Sequence, residues 1–229
     1  MTVDSALALN TNAVSLLVDS GNLQGAIDML HGTLATLRDS LVPIVDAGGA
    51  SCHYTTEDTV SDNVEHCTIR SVPMDVDNFS KAQDDDALYL FERAILIEGY
   101  DQTLASTDRL LTRIAAVVTY NLGLAHHLLG LQNGNYQREN FAKALRFYET
   151  ADTFNRTYPD NRGILFLAAV NNAAHIHSHF LNNGNTQTCL DGMSLVLRST
   201  PKEKTTSEEY SPFFMNVMFY RQMSVAPAA

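Results

Sequence analysis

The chain has 229 residues, 45% of them hydrophobic, with a formal net charge of −11 and a pI near 5.0. That acidic balance argues against non-specific nucleic-acid binding, which needs a basic face to displace counterions, and it disfavours an anionic membrane surface. Cys52, Cys67 and Cys189 are odd in number and far apart, so reduced thiols are expected, with a Cys52–Cys67 bridge left open. No run of about 18 apolar residues lacks polar interruption. The start, Met1-Thr2-Val3-Asp4, has no basic region ahead of its first apolar stretch. These features together lead to the expectation of a cytoplasmic or nuclear protein with no nucleic-acid or membrane partner.

The first helix is expected to start near Asp4 or Asn10, with Ala13, Leu16 and Leu17 as its stripe. Gly21-Asn22 closes it, and Asn22 is placed to cap the next helix. That helix carries Leu23, Ile27, Leu30, Leu34 and Leu37 and is expected to end through Pro43 and Gly48-Gly49, so residues 1–45 form a first helix pair. Residues 46–100 are an acidic insert in which Ser, Thr, Asp and Asn dominate; it reads as a long loop with a short extended piece near His66 to Ile69. Inside it, residues 87–97 read as a strand. Leu88, Leu90, Glu92, Ala94 and Leu96 alternate against Tyr89, Phe91, Arg93, Ile95 and Ile97.

Residues 104–158 form a second helix pair. Ser106, Thr107 or Asp108 caps its first helix, which carries Leu111, Ile114, Ala115, Val118, Leu122, Ala125 and Leu129. Residues 130–134 are the turn, and Phe141, Ala144, Leu145, Tyr148, Ala151 and Phe154 stripe the second helix. Residues 161–200 give a third pair, turned at 182–185. In 201–229 a polar linker leads to an apolar run, 213–220, and a tail. A lone strand would leave its backbone groups unpaired. Residues 213–220 are therefore expected to pair with 88–97, with an extra strand from 54–72; a docked final helix is the alternative for 213–220.

One stretch recurs. Tyr120-Asn121-Leu122-Gly123-Leu124-Ala125-His126 answers to Asn171-Asn172-Ala173-Ala174-His175-Ile176-His177, and the step from Asn121 to Asn172 is 51 residues. Self-similarity on this scale marks a helical repeat array. Stacked helix pairs need small residues where backbones approach. Leu17, Gly21, Leu23, Ala26 and Leu30 stand at the right spacing in the first pair. Gly123, Gly130, Ala144, Tyr148 and Ala151 do so in the second, and Ala174, Gly184 and Cys189 in the third. This pattern resembles the tetratricopeptide repeat family, and the Asn-Leu-Gly and Asn-Asn-Ala-Ala forms look most like the subclass of kinesin light chains. With Phe213-Phe214-Met215-Asn216-Val217-Met218 it also resembles repeat proteins of microalgae, a likeness that implies no activity. The period departs from the family's standard, and the second turn is longer. The resemblance implies a mostly α, tetratricopeptide-like array of about three helix pairs, with a small β element from the insert and the C-terminal segment.

In arrays of this family an Asn on the first helix of a pair faces the concave groove. Its amide both donates to and accepts from a peptide backbone. Asn121 and Asn172 match that place. With His127, His175 and His179 they form the expected surface for a protein or peptide partner, and the leading function is an interaction module or scaffold. The other reading of the two Asn residues is bonding to neighbouring helices. His175 and His179 share a helix face, so a His-dependent metal protein or hydrolase using His127, His175 and His179 is the second function. No Glu lies between them as in a His-Glu-x-x-His motif. No catalytic residue, metal or cofactor is therefore assigned. A third possibility is a structural subunit that fills its own groove with its loop or tail.

Overall fold

Apolar residues at helical spacing fix the first hairpin. In the computed structural model, which describes residues 3–47, 67–74, 88–99, 107–156, 163–201 and 207–225, α1 (Val3–Val18) buries Ala6, Asn10, Ala13, Val14 and Leu17 on one face. Gly21 takes φ +60, a left-handed conformation that glycine adopts without a Cβ penalty. The side-chain oxygen of Asn22 then accepts from the Gly25 N–H at 3.0 Å, as its capping position requires. α2 (Leu23–Ala47) turns Leu23, Ala26, Ile27, Leu30 and Leu37 to the core. It continues through Pro43 to the residue before Gly48-Gly49, so the proline does not end it.

α3 (Thr107–Gln132) is the central helix, packed against α2 on one side and α4 (Gln137–Arg156) on the other. Its Asp108–Gln132 stretch is long and apolar enough to cross a bilayer by length and composition, which reading for uninterrupted runs did not reveal. Yet 89% of its apolar window is buried inside the protein, so this hydropathy is that of a core helix. The expected turn at 130–134 falls later: Gly130 lies within α3, and a 3₁₀ turn at Gly134–Tyr136 makes the connection. Two glycines let the hairpin close. A Cβ at Gly123 would sit 2.8 Å from the Tyr148 ring, and one at Gly130 would sit 2.6 Å from the Phe141 ring. Ala144 and Ala151 are fully buried beside those aromatics, as their register requires.

α5 (Ile164–His179) and α6 (Asn183–Ser199) form the third hairpin, and α6 packs against a last helix, α7 (Ser211–Val225). Residues 213–220 are therefore the docked final helix given as the alternative, not a strand, and among the described residues no C-terminal strand joins the sheet. The protein is thus mostly helical, with seven α-helices among the described residues and a sheet of two strands. The partner of the insert strand is β1 (Thr68–Pro73), from the region expected to add an extra strand. The ladder strand β2 is Arg93–Glu98, shorter and later than the expected 87–97; residue 87 itself lies outside the described set. β1 and β2 are antiparallel, with Val72 opposite Ala94, Ser71 opposite Ile95 and Arg70 opposite Leu96. Residues 88–92 precede β2 without ladder pairing, and a bond from the Met74 N–H to the Glu92 carbonyl at 3.1 Å ties them to the β1 side. Most of the acidic stretch 46–86, with Cys52 and Asp84-Asp85-Asp86, lies outside the described residues.

Candidate functional site: an amide ladder around residues 88–98

A buried strand with one paired edge must satisfy the other edge somehow. β1 takes one edge of β2. The opposite edge meets side chains from α1, α3 and α5, the first helices of the three hairpins, and from α7.

Ile95 donates its N–H to the side-chain oxygen of Asn121 at 2.9 Å. Its carbonyl accepts from the amides of Asn121 at 2.8 Å and Asn10 at 3.3 Å. Asn121 and Asn10 are themselves joined at 3.0 Å. The Arg93 carbonyl accepts from the Tyr120 hydroxyl at 3.0 Å. Phe91 donates to the oxygen of Asn172 at 2.9 Å and accepts from its amide at 3.2 Å. Tyr89 donates to the oxygen of Asn216 at 2.7 Å, and its carbonyl accepts from Asn216 at 2.7 Å and Asn171 at 2.9 Å. Positions 89, 91, 93 and 95 thus face the helices. By strand alternation, 94 and 96 face β1. Helix-borne carboxamides replace a neighbouring strand, with α1, α3, α5 and α7 each contributing one or more.

The side chains of the segment are buried as well. Leu88, Leu90, Phe91, Ala94, Ile95 and Leu96 all lie in the core, and Phe91 stacks against Phe213 of α7 with ring centroids 4.8 Å apart. Each large side chain so buried contributes about 1.5–3 kcal/mol of burial. Arg93 reaches sideways and donates from Nε to the Ser71 hydroxyl at 2.7 Å, while that hydroxyl bonds the Glu209 carboxylate.

The expected site residues come together, but around the chain itself. Asn121 and Asn172 both grip 88–98 and are fully buried. Each also bonds a neighbouring helix, as the other reading of these residues expected: Asn121 bonds Asn10 of α1, and Asn172 the Tyr120 hydroxyl of α3 and the Tyr148 hydroxyl of α4. His127 and His175 lie one layer behind. The Nε2 of His127 is 3.1 Å from the Nδ1 of His175, and its Nδ1 is 3.2 Å from the Tyr148 hydroxyl. That hydroxyl is in turn 3.4 Å from the Asn172 amide. The roles that use every donor run one way: Asn172 donates to Tyr148, Tyr148 to His127, and His127 to His175. Burial holds both imidazoles neutral. It pushes His127 well below the ordinary value, helped by His175 and His179, and it pushes His175 down to about 4, helped by His179. Burial also raises the Tyr148 and Tyr120 hydroxyls, so they stay protonated donors. His179 sits at the outer end of this layer, its ring edge-on to Phe141 at 5.2 Å.

The groups of this layer are buried, neutral hydrogen-bonding partners. Among the described residues no three His, Cys, Asp or Glu side chains are placed to hold a metal ion, so the metal alternative lacks its ligand set. The Cys189 thiol is pushed up to about 11, first by burial and then by Asp152 and Glu149, the opposite of an activated nucleophile. Sequence reading missed Asn10 and Asn216 as site residues. The available signal was a single carboxamide inside an apolar helical run, which demands a partner when buried.

No protein-family model matches this chain, and no curated protein or solved structure is significantly similar to it.

Proposed function

We propose that this protein is an interaction module: a tetratricopeptide-like array of helix pairs that grips an extended polypeptide by its backbone. The observation that carries this reading is the ladder of Asn10, Asn121, Asn172 and Asn216 on α1, α3, α5 and α7, each aimed at the same extended segment. Carboxamides suit the task because each offers an acceptor and two donors in one plane, matching the N–H and C=O of one residue. Helices that only needed to pack together would place apolar side chains there. In the resting chain the gripped segment is its own residues 88–98, so the third possibility raised by the sequence is built into the same reading. The partner is a protein or peptide, held without metal or cofactor.

Affinity capture from the native source with the full chain as bait tests this, followed by hydrogen-exchange mapping of the complex. A stoichiometric protein partner that alters exchange in α3, α5 and α7 is the expected result. Failure to recover any stoichiometric protein would contradict it.

A further inference from the structure

Building on the interaction-module reading, we infer that residues 88–98 are a resident ligand, and that the groove accepts in trans a proline-free, apolar extended segment inserted as a strand between β1 and the amide ladder. The segment's contacts with α1, α3, α5 and α7 are all non-covalent. Its covalent links run through residues 75–87 on one side and 99–106 on the other, stretches of 13 and 8 residues. Every contact that holds it could be remade by another chain of the same chemistry.

That chemistry can be read position by position. Residues 89, 91 and 95 each donate an N–H to an Asn oxygen, so a ligand carries no proline there. The backbone bonds do not discriminate among the other residues; the side-chain spaces do. Position 91 takes an aromatic or large apolar group against Phe213. Position 94 takes a small one, because Ala94 is fully buried within the packed core. Position 95 takes a branched apolar group, since Ile95 is fully buried. Position 93 favours a cation, because Arg93 reaches the Ser71 hydroxyl, which also bonds the Glu209 carboxylate. A ligand of this kind regains what the resident segment gives up. The difference between them is the tether, which gives the resident segment an effective concentration in the millimolar range.

Protease sites placed within 75–87 and within 100–106 of the full chain remove that tether once cut. A fluorescent peptide with the sequence of residues 88–98 is then added in excess. The expected result is one peptide bound per protein, displaced by unlabelled peptide, with the original segment released. A peptide with an ester in place of the Ile95 N–H loses the bond to Asn121 and binds about tenfold more weakly. The Ala94→Leu peptide does not bind. A cut protein that unfolds, or that keeps its own segment without taking up label, would overturn the inference. So would an ester peptide that binds as well as the parent. Capture of a partner by the intact chain together with failure of exchange would remove the resident-ligand inference alone. Exchange with no captured partner would leave the groove reversible and remove the interaction-module reading.

Discussion

Asn172→Ala is the most informative single change, because the carboxamide serves one residue at both of its backbone groups. Asn172 and Phe91 are both fully buried, so water cannot take over. Truncation leaves the Phe91 N–H and C=O without their partners at 2.9 and 3.2 Å. Each orphaned buried group costs about 1–3 kcal/mol. The Tyr148 and Tyr120 hydroxyls, 3.4 and 3.5 Å from the lost amide, already donate to His127 and to the Arg93 carbonyl and cannot replace it. The net loss is about 3 kcal/mol. With a urea m-value of about 2–3 kcal/mol/M, the unfolding midpoint should fall by about 1 M at constant m. Thr188→Ala, at an exposed position on α6, serves as the control and should shift the midpoint very little. A midpoint for Asn172→Ala within about 0.3 M of the parent would show that the amide is not holding the segment.

Stability should also depend on pH in the acid range. The folded-state values of His175 and His127 lie below the unfolded value of about 6.5. The unfolded chain therefore binds more protons as pH falls, and stability is full above about pH 6.5 and drains away towards pH 4. His175 alone accounts for about 3 kcal/mol of that loss; urea midpoints measured from pH 8 to 4.5 check it, and a flat profile would contradict it. Gly123→Ala sets a helix-propensity gain of about 1 kcal/mol against overpacking of the buried Tyr148 ring by about 1–3 kcal/mol. The expected outcome is a melting temperature lower by a few degrees, with a rise counting against the close approach. Truncation before Tyr210 removes the Asn216 clamp and the buried Phe213 and Val217. It should expose apolar surface and promote aggregation; a soluble truncated chain with unchanged melting would refute the role given to α7.

The helices were legible where one face only is apolar. In α4, Phe141, Ala144, Tyr148 and Ala151 repeat at helical spacing, and all are buried. For Phe213 to Tyr220 the sequence leaves strand and docked helix open, because the run is apolar and aromatic nearly all round and periodicity cannot separate a short strand from a buried helix; the helix is what forms. The extended character of 88–98 was legible from alternation, but alternation does not encode which edge partner a strand takes. Here β1 supplies one edge and carboxamides the other, and only Asn216 within an apolar run hinted that α7 belonged to the same ladder. Side-by-side stacking of the two first helices predicts that His127 approaches His175 or His179, and the contact made is with His175. Their neutrality was not legible, because it comes from burial that only the packed array creates.

Residue-resolved amide hydrogen exchange tests most directly whether helix-borne amides hold 88–98 by its backbone. In the parent chain the N–H groups of Tyr89, Phe91 and Ile95 should all be strongly protected, although none of them faces β1. In Asn172→Ala, protection at Phe91 should fall by about a hundredfold or more while Ile95, held by Asn121, keeps most of its own. Fast exchange at all three amides in the parent, or protection at Phe91 untouched by Asn172→Ala, would contradict the ladder.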